Sequence, residues 1–276
     1  MASSSPDPTT EVVGRLRAAG CVFAEEEAAL VLAEAEDAEQ MEAMLVRRVS
    51  GEPLEQVLGW AEFCGLRVRV TPGVFVPRRR TAFLVHLALH DPESRLASTR
   101  SPVVADLCCG TGAVGLAIAA GLDGDVDLHA ADVDPDAVAC ARLNVTSGEV
   151  HEGDLYDALP SYLLGRVDLL AVNAPYVPTD QIALMPPEAR EHEHRIALDG
   201  GADGLDLHRR VARGARPWLA PGGVLLLETS RPQAEATKDA CRRAGLPARI
   251  CVDEEAGATV VRAISVGAGS SGRMTR

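Results

Sequence analysis

Residues 108–115 read CCGTGAVG and follow a short run of β-branched residues. Gly110, Gly112 and Gly115 have the spacing G-x-G-x-x-G, which is typical of loops that hold a nucleotide cofactor. Glycine lacks a Cβ, so the backbone can turn sharply and approach a ligand, while the following helix adds free N–H donors. The pattern predicts a cofactor loop, and taken alone it suits NAD as well as S-adenosylmethionine.

Aspartates near this loop indicate which cofactor it holds. Asp132 ends the next predicted strand, where a carboxylate can accept hydrogen bonds from both ribose hydroxyls; the alternative role of helix cap suits Asp134 better. Asp106 precedes the glycines at the mouth of the loop, where it would attract a sulfonium or ammonium cation and repel a phosphate. Asp154 could accept from an adenine amino group or be an ordinary turn residue. Because S-adenosylmethionine carries no phosphate, Asp106 favours it over NAD.

A second chemical motif, Asn173-Ala174-Pro175-Tyr176, follows the apolar run Val167–Val172. The Asn173 side-chain oxygen and the Ala174 carbonyl could each accept an N–H, aligning a planar nitrogen for in-line methyl transfer. Tyr176 would pack on the flat acceptor, and Pro175 restricts Ala174 to extended geometry. The alternative is a plain Asn-Pro turn. Next to a cofactor loop, the motif favours an N-methyltransferase acting on a weakly nucleophilic amide or amino nitrogen.

Together these motifs resemble the bacterial release-factor glutamine methyltransferases, whose Asn-Pro-Pro-Tyr loop holds the glutamine of a Gly-Gly-Gln motif. The resemblance extends over residues 45–265 and includes the segments that begin at Leu58, Val74 and Ala197. It implies S-adenosyl-L-methionine as cofactor and the side-chain amide of a protein glutamine as acceptor. It also implies that the N-terminal helical unit helps to dock the protein substrate, a release factor or another glutamine-bearing protein.

The motifs and the resemblance together give a set of candidate site residues. The catalytic candidates are Asn173, Ala174, Pro175 and Tyr176. The candidates for cofactor binding are Asp106, Cys108, Gly110, Thr111, Gly112, Asp132, Val133, Asp154, Leu155 and Asn173. The candidates for substrate binding are Asn173, Tyr176, Glu193 and Arg195.

The chain departs from the family pattern within these motifs. Ala174 replaces the first proline of the acceptor loop, Cys108 replaces the first loop glycine, and residues 77–82 read Pro-Arg-Arg-Arg-Thr-Ala instead of Pro-Arg-Pro-Glu-Thr-Glu. Ala174 keeps the carbonyl but loosens the loop, so we expect a divergent relative whose acceptor could differ. Methylation of an adenine amino group or a small metabolite therefore stays open, as does an NAD-binding oxidoreductase on the glycine pattern alone.

The elements that position these residues follow from the hydrophobic pattern. From Pro102 onward, β-branched runs alternate with helical stretches, which predicts strands at 103–107, 126–131, 167–172 and 224–228, with another near Val150. Such alternation indicates an α/β fold with a doubly wound, mostly parallel sheet that binds ligands at the carboxyl ends of its strands. By the resemblance, this is the seven-stranded Rossmann-like methyltransferase sheet.

The domain boundaries come from changes in composition and period. We predict a disordered tail at 1–10, an N-terminal helical substrate-docking domain at 11–58, a β-hairpin linker at 59–80, the methyltransferase domain at 81–266 and a second disordered tail at 267–276. The linker rests on alternation from Leu66 and on the turn signal Thr71-Pro72-Gly73.

Composition limits the remaining function classes. The net charge of −13 disfavours nucleic acid as a partner, because such binding relies on Lys and Arg. The seven cysteines form no C-x-x-C pair, and no apolar run or signal sequence indicates a membrane, so we expect a cytoplasmic protein.

Two polar clusters have simple interpretations. Residues 191–194, Glu-His-Glu-His, lack zincin spacing, so we expect no metal there and instead a polar loop that places Glu193 and Arg195 near the substrate. Arg78, Arg79 and Arg80 are interpreted as a solvated or ion-paired turn.

Overall fold

The computed structural model describes residues 8–91, 96 and 99–266. The predicted tails therefore lie outside the described residues at 1–7 and 267–276. Residues 8–10 were wrongly assigned to the first tail, because helix α1 (Pro8–Ala18) begins there. Proline is tolerated in the first helical turn, and Glu11 in that turn complements the helix dipole.

The predicted N-terminal helical unit is present. Val12, Leu16, Ala24, Ala28 and Leu45 bury its centre. After α1 it contains α2 (Ala24–Glu34), α3 (Ala38–Val49), which Asp37 caps by accepting from the Gln40 N–H at 2.8 Å, and the short α4 (Leu54–Leu58).

The β-hairpin linker forms, but its turn is not where the sequence indicated. Strands β1 (Trp60–Phe63) and β2 (Leu66–Arg69) pair antiparallel with Phe63 opposite Leu66, so Cys64 and Gly65 make the turn. Both have positive φ, 51° and 78°, as a two-residue hairpin loop requires. The predicted signal Thr71-Pro72-Gly73 instead follows the hairpin and directs the chain toward the main domain.

The main sheet contains seven strands among the described residues, in the order β5-β4-β3-β6-β7-β9-β8. All neighbouring pairs are parallel except those that involve β9. Their bounds are β3 (Val103–Leu107), β4 (Asp127–Asp132), β5 (Glu149–Glu152), β6 (Val167–Val172), β7 (Leu219–Thr229), β8 (Ala248–Asp253) and β9 (Ala258–Ile264). The predicted strands are confirmed with small shifts, whereas β8 and β9 carried no assigned position.

Helices cover both faces of this sheet. They are α5 (Ala82–His90), α6 (Ala113–Gly121), α7 (Pro135–Asn144), the short α8 (Pro187–His192), α9 (Asp206–Trp218) and α10 (Ala234–Arg243). Alternate residues of β3 enter opposite cores: Val103, Ala105 and Leu107 pack on the α9 and α10 side, and Val104 packs on the α5 and α6 side. None of the helices in the described ranges combines the length and apolar character needed to cross a membrane.

The buried Arg48 connects the N-terminal helical unit to the main domain. The Arg48 guanidinium binds Glu27 through Nε at 2.6 Å and reaches Glu188 of α8 through Nη1 at 2.7 Å. The Arg48 side chain is only 8% exposed. Nearby, the Gln56 amide donates to the carbonyls of Val74 and His192, at 3.1 and 3.2 Å. The unit is therefore fixed against the segment that follows the acceptor motif.

Replacing Arg48 tests the buried Arg48–Glu27 pair. Arg48→Ala leaves the Glu27 carboxylate buried without its cation, so we expect the free energy of unfolding to fall by about 3–5 kcal/mol in urea denaturation. The matched control is Arg15→Ala, because the Arg15–Glu42 pair is exposed to solvent and its loss should lower the free energy of unfolding much less. Equal losses in the two variants would contradict a special role for Arg48.

Candidate active site

The two predicted chemical motifs meet at one cavity. Strands β3 and β6 are parallel neighbours with Leu107 opposite Val172, so the loops that follow them leave the same edge of the sheet. Both loops line a cavity of about 750 Å³, within the range of small-molecule sites. The candidates that line it are Asp106, Cys108, Gly110, Thr111, Asp132, Val133, Asp154, Leu155, Asn173, Ala174, Pro175, Tyr176 and Arg195. Gly112 and Glu193 do not.

Gly110 and Gly112 have different roles in the glycine loop. Gly110 has φ +54° and no protein atom within 4 Å of where a Cβ would be, so its backbone faces open space. Gly112, with φ +75°, precedes α6, and a Cβ there would lie 2.8 Å from a Val145 methyl. Gly112 therefore allows close packing of α6 against the chain after α7, and it does not line the cavity.

Cys108 occupies a backbone conformation that favours glycine. Its φ is +56°, in the left-handed region, at the position where the related pattern has its first glycine. Burial raises the pKa of the Cys108 thiol well above its ordinary value, so the sulfur is neutral. The replacement keeps the turn of the loop at the cost of local strain.

Asp132 is held rigidly at the end of β4. Its two carboxylate oxygens accept from the Gly110 N–H at 2.8 Å and from the Asp134 N–H at 3.0 Å. Each oxygen keeps a further lone pair for a ligand hydroxyl. Burial raises the pKa of the Asp132 carboxyl, and the backbone donors oppose that rise. Asp134 caps α7 by accepting from the Asp136 N–H, as the sequence indicated.

Asp106 lies deeper than the mouth of the loop, where the sequence placed it. Its carboxylate is 2% exposed and accepts from the Gly115 N–H at 2.8 Å, which fixes the start of α6. Burial raises the pKa of Asp106 to about 7. The carboxyl still borders the cavity, where a cationic ligand would favour its ionised form.

Tyr176 is fixed from two sides. Its hydroxyl accepts from Arg80 Nη2 at 3.0 Å and donates to Glu228 Oε1 at 3.2 Å, while its carbonyl accepts from Gln233 Nε2 at 3.0 Å. Glu228 is 2% exposed, and burial raises its pKa. None of these three contacts to Tyr176 was predicted from the sequence. Arg80 was interpreted as part of a solvated or ion-paired turn, and it does pair with Glu228; only the position of Glu228 at a strand end pointed to the site.

The other residues of the acceptor loop differ in exposure. Asn173 is partly buried and borders the cavity, and within the described part of the chain no hydrogen bond engages its side chain. Its amide oxygen is thus available to a ligand. Ala174 is 1% exposed, and its side chain belongs to the core beneath the sheet edge. The methyl group that replaces a proline ring therefore packs inside the protein.

Glu193 binds the linker rather than the cavity. Its carboxylate accepts from the Val76 N–H at 3.0 Å and pairs with Arg78 at 2.6 Å. The side chain is fully buried, so the predicted contact of Glu193 with substrate is wrong. Next to it, the backbone N–H of His194 donates to the Gly73 carbonyl at 2.8 Å, and the ring Nδ1 of His194 lies 2.6 Å from Asp134 Oδ2. These bonds tie the linker to Glu193 and His194 and, through His194, to Asp134 at the start of α7.

Charge in the cavity favours a ligand without phosphate. The arginines that line it are each paired with a carboxylate: Arg78 with Glu193, Arg80 with Glu228, Arg195 with Asp199 and Arg210 with Asp154. Asp106 and Asp132 add carboxylates fixed by backbone N–H groups. A diphosphate would meet these acids with no unpaired cation among the described lining residues. A zwitterion with a sulfonium and ribose hydroxyls fits them.

Known proteins similar to this chain are methyltransferases. The model of the family described as methyltransferase small domain matches residues 66–185. The chain is 36% identical over 206 residues to the release factor glutamine methyltransferase of Geobacter sulfurreducens, covering 73% of this chain and 69% of that protein. It is 37% identical over 185 residues to the 4-amino-L-phenylalanine/4-methylamino-L-phenylalanine methyltransferase of Streptomyces pristinaespiralis, covering 66% and 62% respectively.

A solved structure has the same fold. The crystal structure of a methyltransferase from Pyrococcus furiosus superposes with a TM-score of 0.52 and 14% identity, covering 82% of this chain and 98% of that one. The predicted doubly wound, Rossmann-like methyltransferase sheet is thereby confirmed. At this identity the likeness concerns the fold alone.

The left-handed backbone at Cys108 leads to a stability prediction. At most positions a protein with alanine is more stable than one with glycine. At φ +56°, however, alanine keeps the steric penalty that glycine avoids. We expect Cys108→Gly to exceed Cys108→Ala in free energy of unfolding by about 1 kcal/mol, measured by urea denaturation. Both variants lose the sulfur, so the comparison isolates the backbone. Greater stability of the alanine variant would contradict the strain.

The buried Asp106 carboxyl makes stability depend on pH. Its pKa rises from 3.8 to about 7 in the folded chain, so between these values the folded state keeps a proton that the unfolded state has lost. The stability that the protonated Asp106 gives the folded chain is fully present below about pH 4. It is lost as the pH rises through about 7, at up to about 1.4 kcal/mol per pH unit. In urea denaturation without cofactor, we expect the free energy of unfolding of Asp106→Asn to decline less with rising pH than that of the unaltered chain. Parallel curves for the two proteins would rule out this assignment.

Proposed function

This chain belongs to the release factor glutamine methyltransferase family, and we propose that it methylates the side-chain amide nitrogen of a glutamine in a peptide chain release factor. The observation that carries the proposal is the meeting of the glycine loop and the Asn173–Tyr176 motif at one cavity, through the paired ends of β3 and β6. One loop suits a methyl donor and the other suits a planar nitrogen. In-line transfer needs both at one site.

S-adenosylmethionine is the methyl donor of this methyltransferase, so the alternative of an NAD-binding oxidoreductase is set aside. When bound, it supplies a methyl group that its positively charged sulfur activates. We assign the ribose hydroxyls to Asp132, whose oxygens are already oriented by backbone donors. Asp106 would provide negative charge toward the cationic part of the ligand. Asp154, with one oxygen bound to Arg210, retains its other oxygen for the adenine amino group.

The acceptor loop performs the positioning that a weak nucleophile requires. An amide nitrogen has its lone pair delocalised, so the reaction depends on holding its two N–H groups in one orientation. The Asn173 side-chain oxygen and the Ala174 carbonyl accept these two hydrogens. Tyr176 packs on the planar group and is itself kept in place by Arg80, Glu228 and Gln233. The nitrogen loses its proton after methyl transfer, so no general base is needed.

The N-terminal helical unit serves to dock the protein substrate in this proposal. Arg48 and Gln56 connect it to the segment at Glu188 and His192, which follows the acceptor motif in the chain. Arg195, three residues beyond His192, borders the cavity and is two-thirds exposed, so it can contact an incoming chain. A substrate held by the helical unit would thus be placed in a fixed relation to the cavity.

A planar amino group on a small molecule is the second candidate acceptor. The Streptomyces pristinaespiralis relative, which acts on 4-amino-L-phenylalanine by its name, is about as similar to this chain as the glutamine methyltransferases are. Arg80, which binds the Tyr176 hydroxyl and pairs with Glu228, stands where the release-factor pattern has a glutamate, so the wall beside the acceptor loop differs from that pattern. This basic residue is the observation that favours the alternative.

Radiolabelled methyl donor separates the two acceptors. The purified chain is offered a release factor, the same factor with the glutamine of its Gly-Gly-Gln motif changed to alanine, and 4-amino-L-phenylalanine. We expect label in the unaltered factor alone. Asn173→Ala should lower kcat/KM for that factor by at least about 100-fold, because misplacing the nitrogen is costly, whereas Asn173→Asp keeps an accepting oxygen and should lose less.

Label in both forms of the release factor would refute glutamine as the acceptor. Label in the aromatic amine with none in the factor would establish the second candidate instead. Unchanged turnover in Asn173→Ala would remove the acceptor loop from the mechanism, whichever substrate is methylated.

A further inference from the structure

Two histidines and a glutamate converge at the edge of the sheet, apart from the cavity described above. His129 of β4 and Glu149 of the edge strand β5 are paired in register, and His151 lies two residues further along β5. His129 Nδ1 lies 3.0 Å from His151 Nε2, and Glu149 Oε2 lies 3.9 and 3.7 Å from these two nitrogens. None of the three residues borders the cavity.

The separations approach those of three ligands on one tetrahedral ion. With metal–nitrogen and metal–oxygen bonds near 2.0–2.1 Å, ligand atoms lie about 3.3 Å apart. The two imidazole centroids are 5.3 Å apart, close to the roughly 5.2 Å expected for two rings on such an ion. After a small rotation of each ring, the two nitrogens would face one ion between them instead of each other. Glu149 needs to close by about half an ångström, and its side chain is 60% exposed and free to turn.

Asp127 sets the protonation of His129. Asp127 Oδ1 lies 3.0 Å from His129 Nε2, so that nitrogen carries the proton and donates it to the carboxylate. Nδ1 of the neutral ring then carries a lone pair that is directed at His151. A carboxylate behind an imidazole ligand is the usual outer partner in zinc sites, where it fixes the ring and raises its basicity. His129 is completely buried, which limits its ring to small rotations about this orientation.

We propose that His129, His151 and Glu149 form a zinc site, with solvent at the fourth position. Two imidazoles and one carboxylate are borderline ligands that suit zinc better than magnesium or calcium, which prefer oxygen alone. The exposed Glu149 leaves an entry path from solvent. This cluster was not predicted from the sequence, which drew attention to residues 191–194, where His194 and Glu193 are engaged with Asp134 and the linker.

The site would fasten β5 to β4 at the edge of the sheet. Within the described residues, β5 is a four-residue strand that pairs with β4 alone, so a metal that bridges the two strands adds a connection at this edge of the sheet. Both strands run into the candidate cofactor site, β4 at Asp132 and β5 just before Asp154. Zinc here acts on stability and does not take part in methyl transfer, so the proposal is independent of the acceptor.

Calorimetric titration with zinc chloride tests the site, using untagged, reduced protein that has been treated with a chelator. We expect one zinc per chain and a rise in Tm on binding. His151→Ala and Glu149→Gln should each abolish this binding, and Asp127→Ala should weaken it by about 10–100-fold through loss of the outer partner. Cobalt(II) in the same titration should give the visible absorption of a tetrahedral ion.

Matched controls exclude other ligands. Glu152→Gln removes a carboxylate from the opposite face of the same strand, and His90→Ala removes a ring from the stacked pair His86 and His90 on α5, so both should bind zinc as the unaltered chain does. Circular dichroism checks that each variant folds; the exposed Glu149→Gln remains informative where His151→Ala does not fold. Absence of zinc binding, or equal binding by Glu149→Gln, would overturn the proposal, as would loss of binding in His90→Ala.

Discussion

The parallel pairing of β3 with β6 is the constraint on which the site depends. It sets Leu107 opposite Val172, so the chain leaves both strands at one edge and the glycine loop comes to lie beside the acceptor loop. Burial of both strands by helices on either face specifies this register, because a shift by one residue would turn every side chain to the other face. The reaction geometry is thus a consequence of how the core packs.

Buried carboxylates held by fixed donors provide the second level of organisation. Asp106 and Asp132 accept hydrogen bonds from backbone N–H groups, while Glu193 and Glu228 form ion pairs with arginines. Desolvation raises the pKa of each, and the fixed donors oppose the rise. The cavity therefore presents Asp106 and Asp132 in set orientations, which suits a cationic methyl donor, while Glu193 and Glu228 hold the lining arginines Arg78 and Arg80 in place.

The sequence predicted the parts of this site that depend on local pattern. Strand ends, the glycine loop, Asp132 and the acceptor motif were all located, since each has a residue signature next to an apolar run. The missed features depend on contacts distant in sequence. Gly112 packs against Val145, Glu193 pairs with Arg78, and Arg80 reaches Glu228. The hairpin turn at Cys64 and Gly65 also lacked a recognisable signature, because cysteine seldom adopts positive φ.

The most direct test of the account is a crystal structure of the chain with S-adenosylhomocysteine, the product left after methyl transfer. The account predicts ribose hydroxyls bound to Asp132 and a sulfur that faces the Asn173 side-chain oxygen and the Ala174 carbonyl across open space. A ribose bound away from Asp132, or a sulfur separated from the acceptor loop by packed side chains, would contradict it.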